Sequence, residues 1–355
     1  MTMNNIFNPK ITHNYLPVNY LKEKVKEYAK HAFAKNTLDN YNSDWKLFSI
    51  WCKDHNIEIH NIDIYTLIDY ITILAENHYK ASSIQRKISA ITKYCETKNI
   101  TLNLQHKDFK IVWQGIRRKL GIAKQGKEPI LLKDLEEIIS NIHPTSPKNI
   151  RDKALLVFGW FSAMRRSEII ALNWDDIAFI KQGILVTIRQ SKTDKYSEGQ
   201  KIAILKRKDI CPIKILKSWK KINHHKAVFC SITKDHKITG KKLSGIDVAR
   251  IVKKWAETID LDTSKVAGHS LRRGFVTTAV GAGIRNNVIM KTTRHKSSKM
   301  IDDYTSDHDL INNNATSMLP HSKRHDSTFV QLLNKFKNKN FKLWHLLFKH
   351  KQTPR

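Results

Sequence analysis

Apolar residues recur at three- and four-residue intervals from Leu21 to about Arg118. Trp45, Phe48 and Trp51 share one spacing, Tyr65, Leu67, Ile68, Ile71 and Ile73 a second, and Ile84, Ile88, Ile91 and Tyr94 a third. Side chains three and four apart lie on one face of an α-helix, so this stretch is committed to helices that bury a common side. Residues 19–118 therefore read as a small all-helical domain of four or five helices. Thr37 and Ser82 are candidate N-caps, and His55 to Ile62 is a loop. Residues 1–18 look irregular.

The pattern then breaks. Lys119 to Pro129 (KLGIAKQGKEP) is basic, punctuated by Gly and Pro and poor in apolar residues, which predicts a linker. Beyond it helical spacing resumes with Leu131, Leu132, Leu135, Ile138 and Ile139. The most hydrophobic segment, Asp152 to Asn173, predicts a buried helix ending near Trp174. Gly183–Arg189 and Lys201–Leu205 are β-branched runs flanking the polar turn Ser191–Gly199, the pattern of a hairpin. Helices are expected again over Cys211–Lys220, Gly245–Ile259, Gly268–Ala282 and Ile284–Thr292. The fold class expected is mainly α with a small β-sheet (α+β), with a second domain over 130–310 and a tail over 311–355.

Charge narrows the function. The 355 residues hold 63 Lys+Arg against 32 Asp+Glu, a formal net charge of +31. A surface that basic attracts polyanions and binds them by releasing condensed counterions, so nucleic acid is the expected partner. A hydrophobic share of 41% rules out wholesale disorder. No uncharged stretch approaches the ~18 apolar residues of a membrane span. No charged-then-apolar leader is visible, so the expected place is the cytoplasm, on the nucleoid. Cys52, Cys95, Cys211 and Cys230 are scattered without ligand spacing and offer no zinc site.

Cutting a phosphodiester requires a nucleophile, neutralisation of charge growing on the non-bridging oxygens, and a proton for the departing sugar oxygen. Acids are sparse here, and the adjacent pairs Glu136–Glu137 and Asp175–Asp176 would diverge on a helix, so clustered carboxylates around a metal are a poor match. Arginine, histidine and lysine with a protein hydroxyl as nucleophile are the alternative. The second half holds candidates for each. Arg165 and Arg166 close the buried segment, with Glu168 nearby. Lys192 sits in the SKTD turn, His269 and Arg272 lie three apart in GHSLRRGF, and His295 and Tyr304 lie nine apart in RHKSSKMIDDY. Each alone has an ordinary reading as a solvated or packing side chain.

Together, their order and spacing resemble the tyrosine site-specific recombinases, or phage-type integrases. Ala163-Met164-Arg165-Arg166-Ser167-Glu168-Ile169, followed by Leu172, Trp174, Asp176 and Ile177, is similar to that family's G-L-R-x-S-E-L and L-x-W-x-D-I, a register that selects Arg165. Lys192 matches the hairpin lysine. His269, Leu271, Arg272, Arg273 and Phe275 match H-x-L-R-R-x-F, selecting Arg272. His295, Lys296 and Ser297 match G-H-x-S, and Tyr304 the nucleophile. Thr37, Tyr41, Phe48 and Trp51 look like the first long helix of the family's core-binding domain.

The resemblance implies a helical core DNA-binding domain and an α/β catalytic domain forming a C-shaped clamp, with the linker crossing the DNA. It implies catalytic roles for Arg165, Lys192, His269, Arg272, His295 and Tyr304. Tyr304 would form a 3′-phosphotyrosyl bond, Arg165 and Arg272 would clamp the phosphate, the histidines would donate hydrogen bonds or take the tyrosine proton, and Lys192 would protonate the leaving 5′-oxygen. Neither a metal nor ATP is needed, so no cofactor is expected. Implied partners are double-stranded DNA, a homotetramer on two duplexes, and a related recombinase or accessory protein. The architecture is similar to the two-domain Xer-like and small plasmid or phage type, and a mobile-element recombinase is the branch expected. Competing readings are a catalytically inactive DNA-binding relative and a type IB topoisomerase.

Two departures stand out. The residue before the second histidine is small in the family, and here it is Arg294, which would either crowd the turn or reach a phosphate. Asp302 and Asp303 directly precede Tyr304, where they repel a phosphate unless they point away or pair with lysines. The final segment, His321 to Arg355, carries nine Lys/Arg and one acid with interleaved apolar residues, the composition of a DNA-embracing arm or a helix for a partner subunit.

Overall fold

Helix α1 (Lys35–Asp54) buries Trp45 and Phe48 at the spacing read from the sequence. The computed structural model describes residue 28 and residues 35–122, 126–189 and 199–302. The expected irregular N-terminus, Lys192, Tyr304 and the basic tail lie outside the described residues. The chain divides into two compact units, Met1–Gln125 and Gly126–Arg355.

In the first unit α1 is followed by α2 (Ile64–Glu76), α3 (Ala81–Thr97) and α4 (Lys107–Leu120). Asp63 caps α2 by accepting from the Thr66 backbone N–H at 2.8 Å. Thr37 lies inside α1 and Ser82 inside α3, so neither is a cap; α3 is preceded by Lys80, which makes no side-chain capping bond. Phe48, Leu67, Ile71, Ile84, Ile88 and Ile91 form the buried centre, and Trp45 stacks on Tyr94 with ring centroids 3.5 Å apart. One buried polar knot crosses this core, where Asp44 on α1 accepts from Lys87 at 3.0 Å and Arg86 at 2.8 Å on α3. A carboxylate that deep persists only when paired.

Lys119 and Leu120, placed in the expected linker, finish α4. On the far side Glu128 N donates to the Lys265 carbonyl (2.8 Å) and Ile130 N to that of Ser270 (3.1 Å), so this end of the stretch is built into the second unit. That unit continues with α5 (Leu132–Asn141) and α6 (Pro147–Ser162). Ser146 caps α6, with Pro147 at its first position, where no N–H is required. α6 is buried on nearly every face because α5, α10 (Ser270–Gly281) and α8 (Pro212–Ile222) all pack on it. α7 (Arg166–Ala171) and a 3₁₀ turn (Trp174–Asp176) lead into a three-stranded antiparallel meander.

The meander consists of β1 (Ile177–Phe179), β2 (Gly183–Ile188) and β3 (Gln200–Leu205), with Val186 opposite Ile177 on one side and Ile202 on the other. The expected hairpin is β2–β3. β1 carries too few residues to show alternation. A second pair, β4 (Cys230–Ile232) with β5 (Ile238–Lys242), leaves no mark in the sequence either, since Ile238 and Thr239 are followed by Gly240 and two lysines and no apolar alternation develops. α9 (Gly245–Glu257), α10, α11 (Asn286–Thr293) and α12 (Lys299–Asp302) complete the described chain. The predominance of helix with small antiparallel sheets is the α+β class expected.

Gly274 lets α10 approach the Ile130 backbone. A Cβ there would lie 1.6 Å from the Ile130 carbonyl oxygen, the same oxygen that accepts from Trp160 Nε1 at 2.8 Å. Gly274→Ala is therefore expected to destabilise the second unit by roughly 3 kcal/mol or more, read as a lowered denaturant midpoint. A midpoint equal to the wild type would mean that α10 can slide away from Ile130.

Candidate active site

The buried segment Asp152–Asn173 is two helices, a correction to the single helix expected. α6 ends at Ser162, Ala163 turns left-handed (φ 47°, ψ 27°) and Arg165 is extended (φ −69°, ψ 147°) ahead of α7. Glu168 closes the break from below. Its Oε2 accepts from the Arg165 backbone N–H at 2.8 Å and its Oε1 from Arg165 Nη1 at 2.9 Å. Arg165 is thus pinned at both backbone and guanidinium. Arg166 faces outward and is exposed, with its side chain running past Gly245 and Gly268.

The second segment enters through α10. His269 is the residue before its first turn and Arg272 lies within that turn. Arg272 is 1% exposed; its Nη1 donates to the Ala163 carbonyl at 2.5 Å and its Nη2 to the Thr293 carbonyl at 2.6 Å. One guanidinium thereby ties the break that carries Arg165 to the end of α11. A planar fork can do this, and an ammonium cannot reach both oxygens.

The third segment follows α11. Arg294 is left-handed (φ 59°, ψ 40°), a conformation that costs a side chain about 1–2 kcal/mol and glycine little. Its side chain neither crowds the turn nor reaches outward. It is 7% exposed and its Nη2 donates to Glu168 Oε2 at 2.7 Å. Burial alone would raise the Glu168 pKa, but Arg294 and Arg165 outweigh it and hold the carboxyl below the usual range, so it stays ionised.

His295 is buried against Thr293, with Nδ1 2.9 Å from Oγ1. The Thr293 hydroxyl already lies 2.8 Å from the Ile289 carbonyl. A hydroxyl has one proton, so satisfying both bonds requires that the ring donate from Nδ1 and keep its lone pair on Nε2. Burial, then Arg272, Arg165, His269 and Arg294, push the His295 pKa down to about 4. Packing, then Arg272, Arg165, Arg166 and Arg273, also lower that of His269, although His269 retains an opening to solvent. Both rings are neutral at pH 7.

The depressed His295 pKa makes stability depend on pH. The unfolded ring takes a proton near pH 6.5 while the folded ring resists until about pH 4. The unfolded state therefore binds more protons across that window, and stability falls as pH drops through it, by at most ~3 kcal/mol from this group. Above pH 7 the contribution is flat. Denaturant melts between pH 4 and 8 should show a smaller acid loss in His295→Gln; equal losses would place the pH dependence elsewhere.

The structure thus brings together four residues singled out in the sequence: Arg165, His269, Arg272 and His295. Lys192 falls between β2 and β3, and Tyr304 two positions after α12; both lie outside the described residues. Sequence reasoning missed the Ala163 carbonyl and Thr293, which carry no local signal. Glu168 was in view as a motif residue but not as the carboxylate shared by two arginines. Asp176, one of the doubtful acid pair, accepts from the Asn173 N–H at 2.8 Å and pairs with Arg189 at 2.5 Å. Among the described residues no group of three His, Cys, Asp or Glu side chains is placed to hold a metal. No described helix is long and apolar enough to cross a membrane.

What this arrangement can do is hold an anion: guanidinium groups on fixed backbone, beside neutral imidazoles, with one carboxylate among them. Residues 130–310 match the family model described as the phage integrase family, and residues 26–98 match that of the phage integrase N-terminal SAM-like domain. An integrase/recombinase XerD homologue of Selenomonas ruminantium is 33% identical over 306 residues, covering 84% of this chain and 89% of its own length. The structure of the XerH site-specific recombinase in its post-cleavage complex with a palindromic difH substrate aligns with a TM-score of 0.60. It is 16% identical, over 84% of this chain and 83% of that one. The Tn1549 transposon integrase with transposon right end DNA aligns with a TM-score of 0.58 at 14% identity, over 89% and 100%. At those identities the two structures speak to the fold.

Proposed function

The chain belongs to the phage integrase family of tyrosine recombinases, and from that premise we propose that it breaks and rejoins double-stranded DNA at a specific site through its own tyrosine, without metal or ATP. The observation that carries the reading is the doubly anchored Arg272, which fixes the Arg165 break and the His295 turn against one another before any substrate arrives. Preorganised charge of this kind stabilises a pentavalent phosphate without reorganisation at the moment of reaction.

In this reading Arg165 and Arg272 take the charge on the non-bridging oxygens. Tyr304 Oη attacks phosphorus, forming the 3′-phosphotyrosyl bond as the bond to O5′ breaks. His295 suits the role of acceptor for the phenol proton, because a neutral ring with its lone pair on Nε2 can take it and an imidazolium cannot. Lys192 gives a proton to O5′, and His269 donates to a phosphate oxygen. The free 5′-hydroxyl of a second duplex then reverses the attack, and the bond energy is conserved. Exchange between two duplexes calls for four protomers on DNA. The basic tail, a cytoplasmic setting and a mobile-element origin belong to the same reading.

Covalent trapping tests it. Wild-type protein mixed with nicked duplex fragments from the DNA flanking the gene should give a band that survives detergent. Gel-shift binding without any such band, across fragments and salts, would instead identify an inactive DNA-binding relative.

A further inference from the structure

Arg294 carries three penalties at once. Its backbone is left-handed, its charged side chain is almost wholly withdrawn from solvent, and its Nε and Nη1 are buried without a hydrogen-bond partner among the described residues. Each of these disfavours arginine and favours glycine. Set against them is the bond from its Nη2 to Glu168, 126 positions earlier in the chain.

Glu168 is the carboxylate on which Arg165 depends. Its Oε1 holds the Arg165 guanidinium and its Oε2 the Arg165 backbone N–H, with Arg294 on the same Oε2. A carboxylate facing Arg165 alone would cancel much of the charge that Arg165 offers to an anion and would be free to tilt. Sharing it between two arginines leaves the group net positive and fixes both oxygens. We propose that Arg294 is a positioning residue for strand cleavage, which through Glu168 holds Arg165 at the helix break in the orientation and with the net charge that a phosphate requires. This rests on the recombinase reading above. Its Nε and Nη1 are buried and its Nη2 is held by Glu168, so the partner it acts on is the carboxylate.

The test compares full-length wild type, Arg294→Gly, Arg294→Ala and Arg294→Lys on the same nicked flanking fragments. It reads the rate of covalent complex formation, the gel-shift Kd and the thermal midpoint. Glycine relieves the left-handed backbone, so Arg294→Gly should melt at or above Arg294→Ala. Both should cleave about 10–100-fold more slowly than wild type with an unchanged Kd. Arg294→Lys, as strained as alanine but charged, should regain part of the rate. Activity would then follow charge and not stability.

If rates follow the thermal midpoints, with Arg294→Gly as fast as wild type, Arg294 is a packing residue and the proposal is wrong. A Kd that weakens in step with the rate would make it a DNA contact, which also overturns it. Should Arg294→Gly not fold, the alanine and lysine variants carry the same comparison. No covalent complex from wild type on any fragment removes the recombinase reading and the proposal with it, a failure distinct from that of an active wild type and an equally active Arg294→Gly.

Discussion

Tyr304→Phe is expected to abolish the detergent-resistant DNA complex while leaving the gel-shift Kd within about twofold of wild type. The substitution removes one oxygen and keeps the ring. Affinity in a chain with 63 Lys+Arg comes chiefly from phosphate contacts spread over its surface, so it should not register the loss of a single hydroxyl. The chemistry should register it fully, because no other group would hold the 3′-phosphate between cutting and joining. The measurement is a denaturing gel beside a native one, on the same nicked fragments. A covalent band of wild-type intensity in the variant would move the nucleophile to another hydroxyl, with Ser297 and Ser298 the first to substitute.

Arg165→Ala should slow covalent complex formation by about 10²–10³-fold, roughly 3–4 kcal/mol of transition-state stabilisation, while Arg166→Ala costs less than about tenfold. The two side chains are neighbours in sequence and differ in surroundings. Arg165 is held on Glu168 within the group containing Arg272 and His295, whereas Arg166 runs out past Gly245 and Gly268 into solvent. Arg165→Lys should recover little, because a point charge cannot make the paired contacts of a guanidinium. Single-turnover rates on the nicked fragments decide the matter. If Arg166→Ala proves the more damaging, the register of the motif is off by one.

Much of this site is legible in the amino-acid sequence. Arg165, His269, Arg272 and His295 are spread over 131 positions of the chain, yet their local motifs mark each of them, and the fold gathers them into one group. The helical domain is legible for a simpler reason: Trp45, Phe48, Ile84, Ile88 and Ile91 repeat at helical spacing and all point into one core. Helix starts are less legible. Ser82 and Thr37 have capping chemistry but sit inside helices, Ser82 one residue past the start of α3 and Thr37 two past that of α1, because a start signal worth about 1 kcal/mol only weakly fixes where a helix begins. Short strands interrupted by glycine and lysine, such as β5, leave no periodicity to read.

Arg294 is the clearest case of a residue whose type is visible in the sequence and whose direction is not. From the sequence it would either crowd a turn or reach a phosphate; in the structure it does neither and turns inward to Glu168.

What the sequence determined by itself was helix, hairpin, charge and the order of the motifs, all consequences of local propensity and periodic burial. The break between α6 and α7 was decided by the tertiary structure alone. Between Ser162 and Arg166 there is no glycine or proline, and intrinsic propensities there differ by only ~0.5 kcal/mol or so per residue, too little to end a helix. A buried guanidinium arriving from 109 positions away takes the Ala163 carbonyl out of the helical ladder, and Glu168 takes the Arg165 N–H. Hydrogen bonds to charged groups in a dry interior, at about 1.5–3 kcal/mol each, outweigh the local preference, and they turn a continuous hydrophobic segment into the corner on which Arg165 is presented.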